Sequence, residues 1–484
     1  DRFRATGKPV IAWAANLDQG QYYLAAHADR VLLDPQGSLM LTGLANYRLF
    51  YKGLLDKLGV DVHLFRVGQF KSAAEPYILD HASPASKEAD GYWMGGLWDE
   101  YLAEAAKLRK LDPAKLRADI DNLPQAIAGT QGDLARLALD EHLIDGTATR
   151  AELIAMLRKQ GVPAAKNGHG FRSVDLQHYV ADLPTGGDLL TPGVTVVVAE
   201  GEIAGGKRPP GSIGGESTAA LVRAAREDKR TKALVLRVDS PGGEVYAAEQ
   251  IRREVELTRE AGIPVVVSMG DVAASGGYWI SMNANRIFAE PNTITGSIGI
   301  FGMYYTVPNT LAKLGITSDG VATGPMAGAF DISRPLDPKV GAVIQAIIDK
   351  GYRDFVGGVA KARGKSYADI DAIAQGRVWT GSQARERGLV DQLGGLGDAV
   401  TEAAGLAKLG GKYPVRYQQA ALGAFERFMV GFSQSAGVEL LQAWGVRLPP
   451  WFAQIHALAP ELSLLRDARA GTPNVYAYCF CSPH

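Results

Sequence analysis

The chain has 484 residues, a formal net charge of -1, and ordinary fractions of hydrophobic (46%) and charged (21%) residues. This length and composition are typical of a soluble globular protein with two or three domains, and the lack of a basic excess argues against a nucleic-acid partner. No run of about 18 or more apolar residues is present, so nothing in the sequence is expected to span a membrane.

The N-terminal part of the chain is repeated later in the sequence. Residues 7–44 align with residues 262–300, with Tyr23 matched to Tyr278, and similar Leu-hydrophobic-Asp triplets follow in both copies. This pattern indicates a tandem duplication. The first copy begins at a point equivalent to about residue 256, so we expect its opening elements, and any membrane anchor before them, to be missing from this sequence.

Lys71 is the most unusual polar residue of the first copy. It follows a strand-like run at 62–67 and stands among apolar and small residues in the segment FRVGQFKSAAEPY. A lysine whose pKa is lowered by burial can serve as a general base. A lone lysine in such a segment is more often structural, but the aligned region of the second copy, Gly324–Ala327, contains no lysine.

The second copy opens with an apolar strand at 194–198 and then reaches a glycine-rich corner. The segment Val238-Asp239-Ser240-Pro241-Gly242-Gly243-Glu244 lies between an apolar run at 233–236 and a helical pattern at 247–257. Paired glycines allow two backbone N–H groups to point at one spot, as an oxyanion hole requires. The plainer interpretation is an ordinary strand-to-helix corner of a parallel sheet.

Ser275 stands at a second corner of this kind. It lies between small residues, after the apolar run 263–267 and before a helix predicted to begin near Gly277. A serine placed there can act as a nucleophile, although most serines before helices are N-caps. The first copy has Gly20 at the matching position, so only the second copy carries the hydroxyl.

A nucleophilic serine needs a base, and the second copy offers no histidine. None occurs between residues 179 and 455, so a histidine base would have to come from the first copy, where the candidates are His27, His63, His81 and His142. The alternative is Lys71. The two copies have complementary losses, because one keeps the lysine and the other keeps the serine, and this favours a Ser/Lys pair.

Each copy alternates short apolar runs with helical patterns, which predicts α/β domains built from βαβ units. We place the first domain at residues 1–183, a linker at 184–193, the second domain at 194–408 and a helical extension at 409–484. In this extension, apolar helical segments occur over 421–466. The two cysteines, Cys479 and Cys481, are so close in sequence that we do not expect them to bond to each other.

Four motifs together resemble one known family. These are FRVGQFKSAAEPY, VDSPGGEVYAAEQI, MGDVAASGGYWIS and TGSIGIFG. They are similar to the signal peptide peptidase A family in its long, tandem-domain bacterial form (protease IV, peptidase family S49), a member of the Clp-protease/crotonase-like superfamily. The resemblance covers nearly the whole chain. It implies tandem domains of that fold and a serine endopeptidase with a Ser/Lys dyad that degrades cleaved, hydrophobic signal peptides.

The resemblance also implies roles for individual residues. Ser275 would be the nucleophile and Lys71 the general base, and Ser297 would hydrogen-bond the lysine and orient it. The oxyanion hole would be formed by Gly242, Gly243 and Gly276. Asp239 stands where relatives often have Asn, and we expect little consequence from that difference.

The family further implies a homotetramer at the bacterial inner membrane, with its catalytic part facing the periplasm and an N-terminal anchor outside this sequence. No metal or nucleotide cofactor is expected, since the sequence has no phosphate-binding loop and no clustered metal ligands. Two other hypotheses remain open from the residues alone: a crotonase-like acyl-CoA enzyme, which would not use Ser275, and a catalytically inactive scaffold.

Overall fold

The computed structural model describes residues 3–166, 168, 170–182, 191–209, 211–324, 326–418, 474–479 and 481. The helical segments predicted over 421–466 lie outside these residues. In the described part of the predicted extension, the chain forms two strands, near residues 415 and 476. No helix of the described residues combines the length and the apolar character that crossing a bilayer requires.

The described strands are, in chain order, β1 (Ile11–Ala14), β2 (Arg30–Leu33), β3 (Asp61–Val67), β4 (Gly146–Thr147), β5 (Gly193–Glu200), β6 (Ile203–Ala204), β7 (Ile213–Gly214), β8 (Thr231–Ser240), β9 (Gly242–Glu244), β10 (Val265–Ala274), β11 (Arg286–Ala289), β12 (Ile294–Gly296), β13 (Ile300–Thr306), β14 (Val378–Thr380), β15 (Gln392–Leu393), β16 (Val415–Tyr417) and β17 (Asn474–Tyr478).

The described α-helices are α1 (Gln19–Ala25), α2 (Lys52–Leu58), α3 (Glu75–Ile78), α4 (Pro84–Arg109), α5 (Pro113–Asp121), α6 (Leu123–Gly129), α7 (Leu134–Asp140), α8 (Arg150–Lys159), α9 (Leu176–Ala181), α10 (Gly215–Glu227), α11 (Val245–Glu260), α12 (Gly276–Ser281), α13 (Pro308–Lys313), α14 (Pro338–Arg363), α15 (Tyr367–Ile373), α16 (Gly381–Glu386) and α17 (Leu396–Leu406); a short 3₁₀ helix spans Arg4–Thr6.

The chain divides into two compact units that cut across the sequence repeat. Of the described residues, those within 1–45 and 94–186 form one unit, and those within 46–93 and 187–482 form the other. The segment 46–93 belongs to the first copy by sequence but packs with the second copy. Lys71 therefore lies in the same compact unit as Ser275.

The larger unit is built on an eight-stranded sheet whose main path is β14-β12-β10-β8-β5-β16. The central strands β5, β8 and β10 are parallel, as the apolar runs predicted. Their alternate side chains face two separate cores, because Leu234 and Leu236 pack with α10, α11 and α14, whereas Val235 and Val266 pack with α17. Helices thus cover both faces, as parallel sheets require, and the α/β class is confirmed.

A second sheet in the same unit has the order β3-β13-β17-β9-β6-β7. Strand β3, from the 46–93 segment, pairs antiparallel with β13, with Val67 opposite Ile300. The glycine-rich corner forms β9. Between β13 and β9 lies β17, from the far end of the chain, which is antiparallel to both neighbours.

The smaller unit carries a three-stranded parallel sheet, β1-β2-β4, and repeats a contact of the larger one. Tyr22 Oη donates to the Leu143 carbonyl, and Tyr278 Oη donates to the Leu389 carbonyl. The matched tyrosine is therefore Tyr22, and the predicted match of Tyr23 was wrong by one residue.

The second half of the repeat alignment agrees with the structure. Asp145 accepts the Val31 N–H and pairs with an arginine of α4, and Asp391 does the same with Ile287 and an arginine of α14. With Tyr22 matched to Tyr278, the residue that corresponds to Ser275 becomes Gln19, not Gly20. Both lack a hydroxyl group, so the serine still belongs to the second copy alone.

The expectation that the two cysteines stay unbonded was wrong, since Cys479 and Cys481 form a disulfide. Residues two apart on an extended segment project to the same side. Here the chain after β17 brings their Cα atoms to 5.4 Å, within the range that a disulfide spans.

Candidate active site

Ser275 lies at the junction between β10 and α12. It has φ 55° and ψ -112°, a backbone conformation that is sparsely populated for a residue with a Cβ and that occurs often at functional sites. Its N–H donates to the Gly296 carbonyl, which fixes the corner. Its side chain makes no N-cap hydrogen bond with the helix, so the N-cap alternative does not describe this serine.

Two strand pairings bring Lys71 next to Ser275. Strand β3 ends at Val67 opposite Ile300, so the residues after β3 lie beside those before β13. Strand β12 pairs with β10, with Gly296 opposite Ala274. These pairings bring Lys71, Ser275 and Ser297 to one place, although no two of them are neighbours in sequence.

The three side chains form a connected group. Lys71 Nζ lies 2.7 Å from Ser275 Oγ, 3.0 Å from Ser297 Oγ and 3.1 Å from the Ser297 carbonyl oxygen. A neutral amine has two N–H donors and one lone pair. Ser297 can accept both N–H groups, which leaves the lone pair directed at the Ser275 hydroxyl.

Burial disfavours the charged form of this lysine. Lys71 is 2% exposed, and this burial lowers its pKa well below the usual value for lysine because the charged form loses its hydration. No carboxylate of the described residues pairs with it. The carboxylate in the same motif, Glu75, is buried but bonds to Arg66 and Ser83.

Lys71 packs against a loop around Gly376 that the sequence analysis did not select. Gly376 has φ 77°, and a Cβ there would lie 2.8 Å from Lys71 Cβ and 2.7 Å from its backbone nitrogen. The loop is held in place because Phe70 N–H donates to the Gln375 carbonyl and Gly376 N–H donates to that of Ile298. In sequence, Gly376 is one glycine among 57, and its role depends entirely on this contact.

The glycine-rich corner lies beside the serine. Gly242 and Gly243 have φ 102° and 155°, and a Cβ on Gly242 would lie 2.6 Å from the Gly276 nitrogen. However, the Gly242 N–H donates to Ser240 Oγ, so it is already used. The N–H groups of Gly243 and Gly276 are therefore the better-placed candidates among the three predicted oxyanion donors. Asp239 Oδ1 accepts the Val272 N–H and so helps to hold this corner against β10.

The histidine alternatives do not reach the serine within this unit. His63 Nε2 bonds to Thr306 Oγ1 at 3.0 Å, and His81 bonds to Asp80. His27 and His142 belong to the smaller compact unit, where His27 Nδ1 contacts the Tyr23 carbonyl. Among the residues of the larger unit that the structure describes, Lys71 is the base in contact with Ser275.

A large cavity in the described part of the chain is separate from this group. It has a volume of about 1220 Å³, and its lining includes nine charged side chains of α11 and α14 as well as Val475 and Tyr476. Neither Ser275 nor Lys71 contributes to it. The group formed by Lys71, Ser275 and Ser297 is instead covered by other parts of the chain, since Ser275 has no exposed surface.

A family model described as "Peptidase family S49" matches residues 2–161 and 258–410. Because it matches two segments, it also confirms the tandem duplication. A "Protease 4" of Salmonella typhi is 43% identical over 483 residues, which cover 99% of this chain and 76% of that protein. A "Protease 4" of Haemophilus influenzae is 39% identical over 83% of this chain and 65% of that protein. A "Putative signal peptide peptidase SppA" of Enterococcus faecium is 36% identical over 36% of this chain and 51% of that protein.

Proposed function

Since the chain belongs to peptidase family S49 and is a serine peptidase, we propose that it is an endopeptidase with a Ser/Lys dyad. Ser275 is the nucleophile and Lys71 is the general base. The observation that carries this proposal is the 2.7 Å contact between Lys71 Nζ and Ser275 Oγ. A buried amine beside a hydroxyl, with no carboxylate partner among the described residues, has no evident structural purpose.

The first chemical step is proton transfer coupled to attack. Neutral Lys71 takes the proton of Ser275 while Oγ attacks the peptide carbonyl carbon, and the resulting ammonium then protonates the leaving amine. Ser297 accepts hydrogen bonds from the Lys71 amine. While the amine is neutral, these bonds keep its lone pair directed at Ser275 Oγ. Water then hydrolyses the ester, with Lys71 again acting as the base.

The tetrahedral oxyanion needs donors on the far side of the carbonyl. We assign this role to the N–H groups of Gly243 and Gly276, while Gly242 permits the close approach that a side chain would block. Preorganised donors of this kind are worth about 10²–10³ in rate each. The assignment differs from the family-based expectation only in removing Gly242 as a donor.

The substrate class rests on the relatives. The Enterococcus faecium relative is named as a signal peptide peptidase, and we propose the same substrates here: hydrophobic signal peptides already released from their precursors. This role places the enzyme at the bacterial inner membrane with the catalytic part facing the periplasm. We further propose a homotetramer, on the resemblance to the tandem-domain form.

The alternative of a crotonase-like acyl-CoA enzyme has no observation in its favour, since such chemistry would leave the contact between Ser275 and Lys71 unused. The deciding experiment combines active-site labelling with a peptide assay. A serine-directed phosphonate should label the parent at Ser275, and a fluorogenic peptide with a small residue before the cleaved bond should be hydrolysed. An unlabelled, inactive but folded protein would contradict the proposal and favour an inactive scaffold.

A further inference from the structure

The guanidinium group of Arg377 joins two segments that meet at the candidate dyad. Its carbon Cζ lies 3.8 Å from the centre of the Phe70 ring, and one of its N–H groups donates to Glu88 of α4. Phe70 and Glu88 belong to the 46–93 segment of the first copy, and Phe70 directly precedes Lys71. Arg377 itself stands just before β14, in the second copy. Its side chain therefore attaches the segment that carries the lysine to the copy that carries the serine.

The main chain of the same arginine holds Ser297. The Ser297 N–H donates to the Arg377 carbonyl at 2.7 Å, directly beyond the antiparallel pairing of β12 with β14. Ser297 has φ 51°, a left-handed conformation that a residue with a Cβ keeps only where its surroundings hold it. Ser297 in turn offers two oxygen acceptors to Lys71 Nζ. Arg377 thus contacts two supports of the lysine: the residue before it in the chain and the serine that binds its amine.

Lys71 depends on such supports because no charged group among the described residues pairs with it. The amine is held by its hydrogen bonds to Ser275 and to the two oxygens of Ser297, and it is carried on a flexible four-carbon stem. A misplacement of a catalytic group by about 1 Å can lower a rate by about 10²-fold. Any movement of Phe70 would shift the adjoining backbone of Lys71 and so displace the amine.

We propose that Arg377 is a positioning residue of the Ser/Lys dyad, which keeps the amine of Lys71 directed at the nucleophile. It does so by holding Phe70 with its side chain and Ser297 with its carbonyl. The inference rests on the proposed function, because it takes Lys71 as the general base. It goes beyond that function by giving a role in catalysis to an arginine that acts only through other residues.

This role requires the planar shape of the guanidinium group. A guanidinium stacks on an aromatic ring while its N–H groups bind a carboxylate, whereas a lysine ammonium is a compact charge on a flexible stem. Arg377→Lys therefore retains a cation for Glu88 but loses the stacked contact with Phe70, and Arg377→Ala loses both. With a fluorogenic peptide, kcat is expected to fall from the parent to Arg377→Lys and further to Arg377→Ala, by up to about 10²-fold, while KM changes little.

Arg387 provides a matched control. Both arginines lie against the Trp379 ring, and Arg387 donates to Tyr92 Oη, so each of them joins the second copy to the 46–93 segment. In the described part of the chain, the hydrogen bonds and ring contacts of Arg387 do not reach the dyad or its supports. Arg387→Ala should therefore keep the kcat of the parent. Equal kcat values in Arg377→Ala and Arg387→Ala would overturn the proposal.

The pH profile separates a positioning role from a contribution to stability alone. When the lysine is held less firmly, water reaches its amine, and the pKa of that amine returns towards the ordinary value for lysine. The rising limb of kcat/KM against pH is therefore expected to move to higher pH in Arg377→Ala. A lower kcat with an unmoved limb would mean that the arginine only stabilises the fold, and the proposal would be wrong.

Phe70→Leu tests the same contact from the other side. It removes the ring under the guanidinium and leaves the ion pair between Arg377 and Glu88 in place, so it can be measured even if Arg377→Ala does not fold. We expect it to lower kcat about as much as Arg377→Lys does, and the two changes together should lower kcat little further, since both remove one contact. A kcat equal to that of the parent in Phe70→Leu would contradict the proposal.

Lys71→Ala, measured beside these variants, distinguishes this proposal from the proposed function. If Lys71→Ala is inactive while Arg377→Ala behaves like Arg387→Ala, the positioning role is wrong and the proposed function stands. If Lys71→Ala hydrolyses the peptide as fast as the parent does, the lysine is not the base and both proposals fail.

Discussion

Lys71 Nζ lies 2.7 Å from Ser275 Oγ, although 204 residues separate the two in sequence. The pairing of β3 with β13 brings the lysine to Ser297, and the pairing of β12 with β10 brings the serine there. The first copy of the repeat thus contributes the proposed base, and only the second copy carries the proposed nucleophile. The predictions below follow from this arrangement.

Removing either member of the pair should abolish peptide hydrolysis. We expect Ser275→Ala and Lys71→Ala each to lower kcat/KM by about 10³-fold or more, because residues that act as one unit lose nearly the whole effect together. Ser281→Ala is the matched control: Ser281 is also a fully buried serine, and it donates only to the Gly277 carbonyl one turn away. The double variant should have a kcat/KM no lower than that of either single variant. If the two single losses in kcat/KM multiplied in the double variant, the two residues would not act in the same step.

The activity should rise with pH through the lowered pKa of Lys71. Burial lowers that pKa, and only the neutral amine can accept the serine proton, so kcat/KM should increase as pH passes through the shifted value and then level off. The measurement is kcat/KM against pH from about 5 to 10, a range that lies below the ordinary lysine pKa of about 10.4. An activity that rises only near that ordinary value would mean that the lysine is not desolvated in solution.

The same burial should make stability depend on pH. Between the lowered pKa and about 10.4, the unfolded chain binds a proton at Lys71 that the folded chain does not, so the free energy of unfolding rises with pH by up to about 1.4 kcal/mol per pH unit. In Lys71→Met this contribution disappears. The difference in unfolding free energy between parent and Lys71→Met should therefore shift in favour of the parent as pH increases. A difference that stays constant between pH 7 and 10 would exclude a proton-linked lysine.

Ser297 should act by positioning Lys71. Ser297→Ala removes one of the two acceptors of the lysine N–H groups and leaves the Ser297 carbonyl in place. We expect kcat to fall, by less than the roughly 10²–10⁴-fold that general-base catalysis contributes, KM to change little, and the rising limb of the pH profile to move. If Ser297 were purely structural, Ser297→Ala would change the unfolding free energy without moving the rising limb of the pH profile. The pH profile therefore distinguishes a positioning role from a structural one.

Gly376 should be required because of its contact with Lys71. A Cβ there would lie 2.8 Å from Lys71 Cβ, so Gly376→Ala should displace the lysine and reduce kcat strongly. Gly364→Ala is the matched control, because Gly364 also has positive φ (63°) and nothing lies within 4 Å of a Cβ there. Both variants should lose about 1–2 kcal/mol of unfolding free energy from the left-handed backbone conformation, and Gly376→Ala should lose more because of its clash, but only Gly376→Ala should lose activity. Equal activity in the two variants would show that the lysine tolerates the added methyl.

The sequence by itself determined the parts of this protein whose cause is local. The apolar runs at 194–198 and 233–236 form strands because both faces of a parallel sheet are buried, and the duplication could be read from matched segments. The same comparison singled out Ser275 and Lys71, because each occurs in only one copy. These features depend on residue type and spacing over short stretches, which a single sequence displays directly.

Only the tertiary structure decided which distant segments meet. It placed residues 46–93 with the second copy, put Gly376 against Lys71, and matched Tyr22 to Tyr278. It also inserted β17 beside Gly243 and joined Cys479 to Cys481. Each of these outcomes depends on strand register and on close packing between residues far apart in the chain. Sequence periodicity carries no information about such pairings, since many segments of the chain have the same local pattern. Which two segments pair is decided by how well all elements pack together in the folded protein.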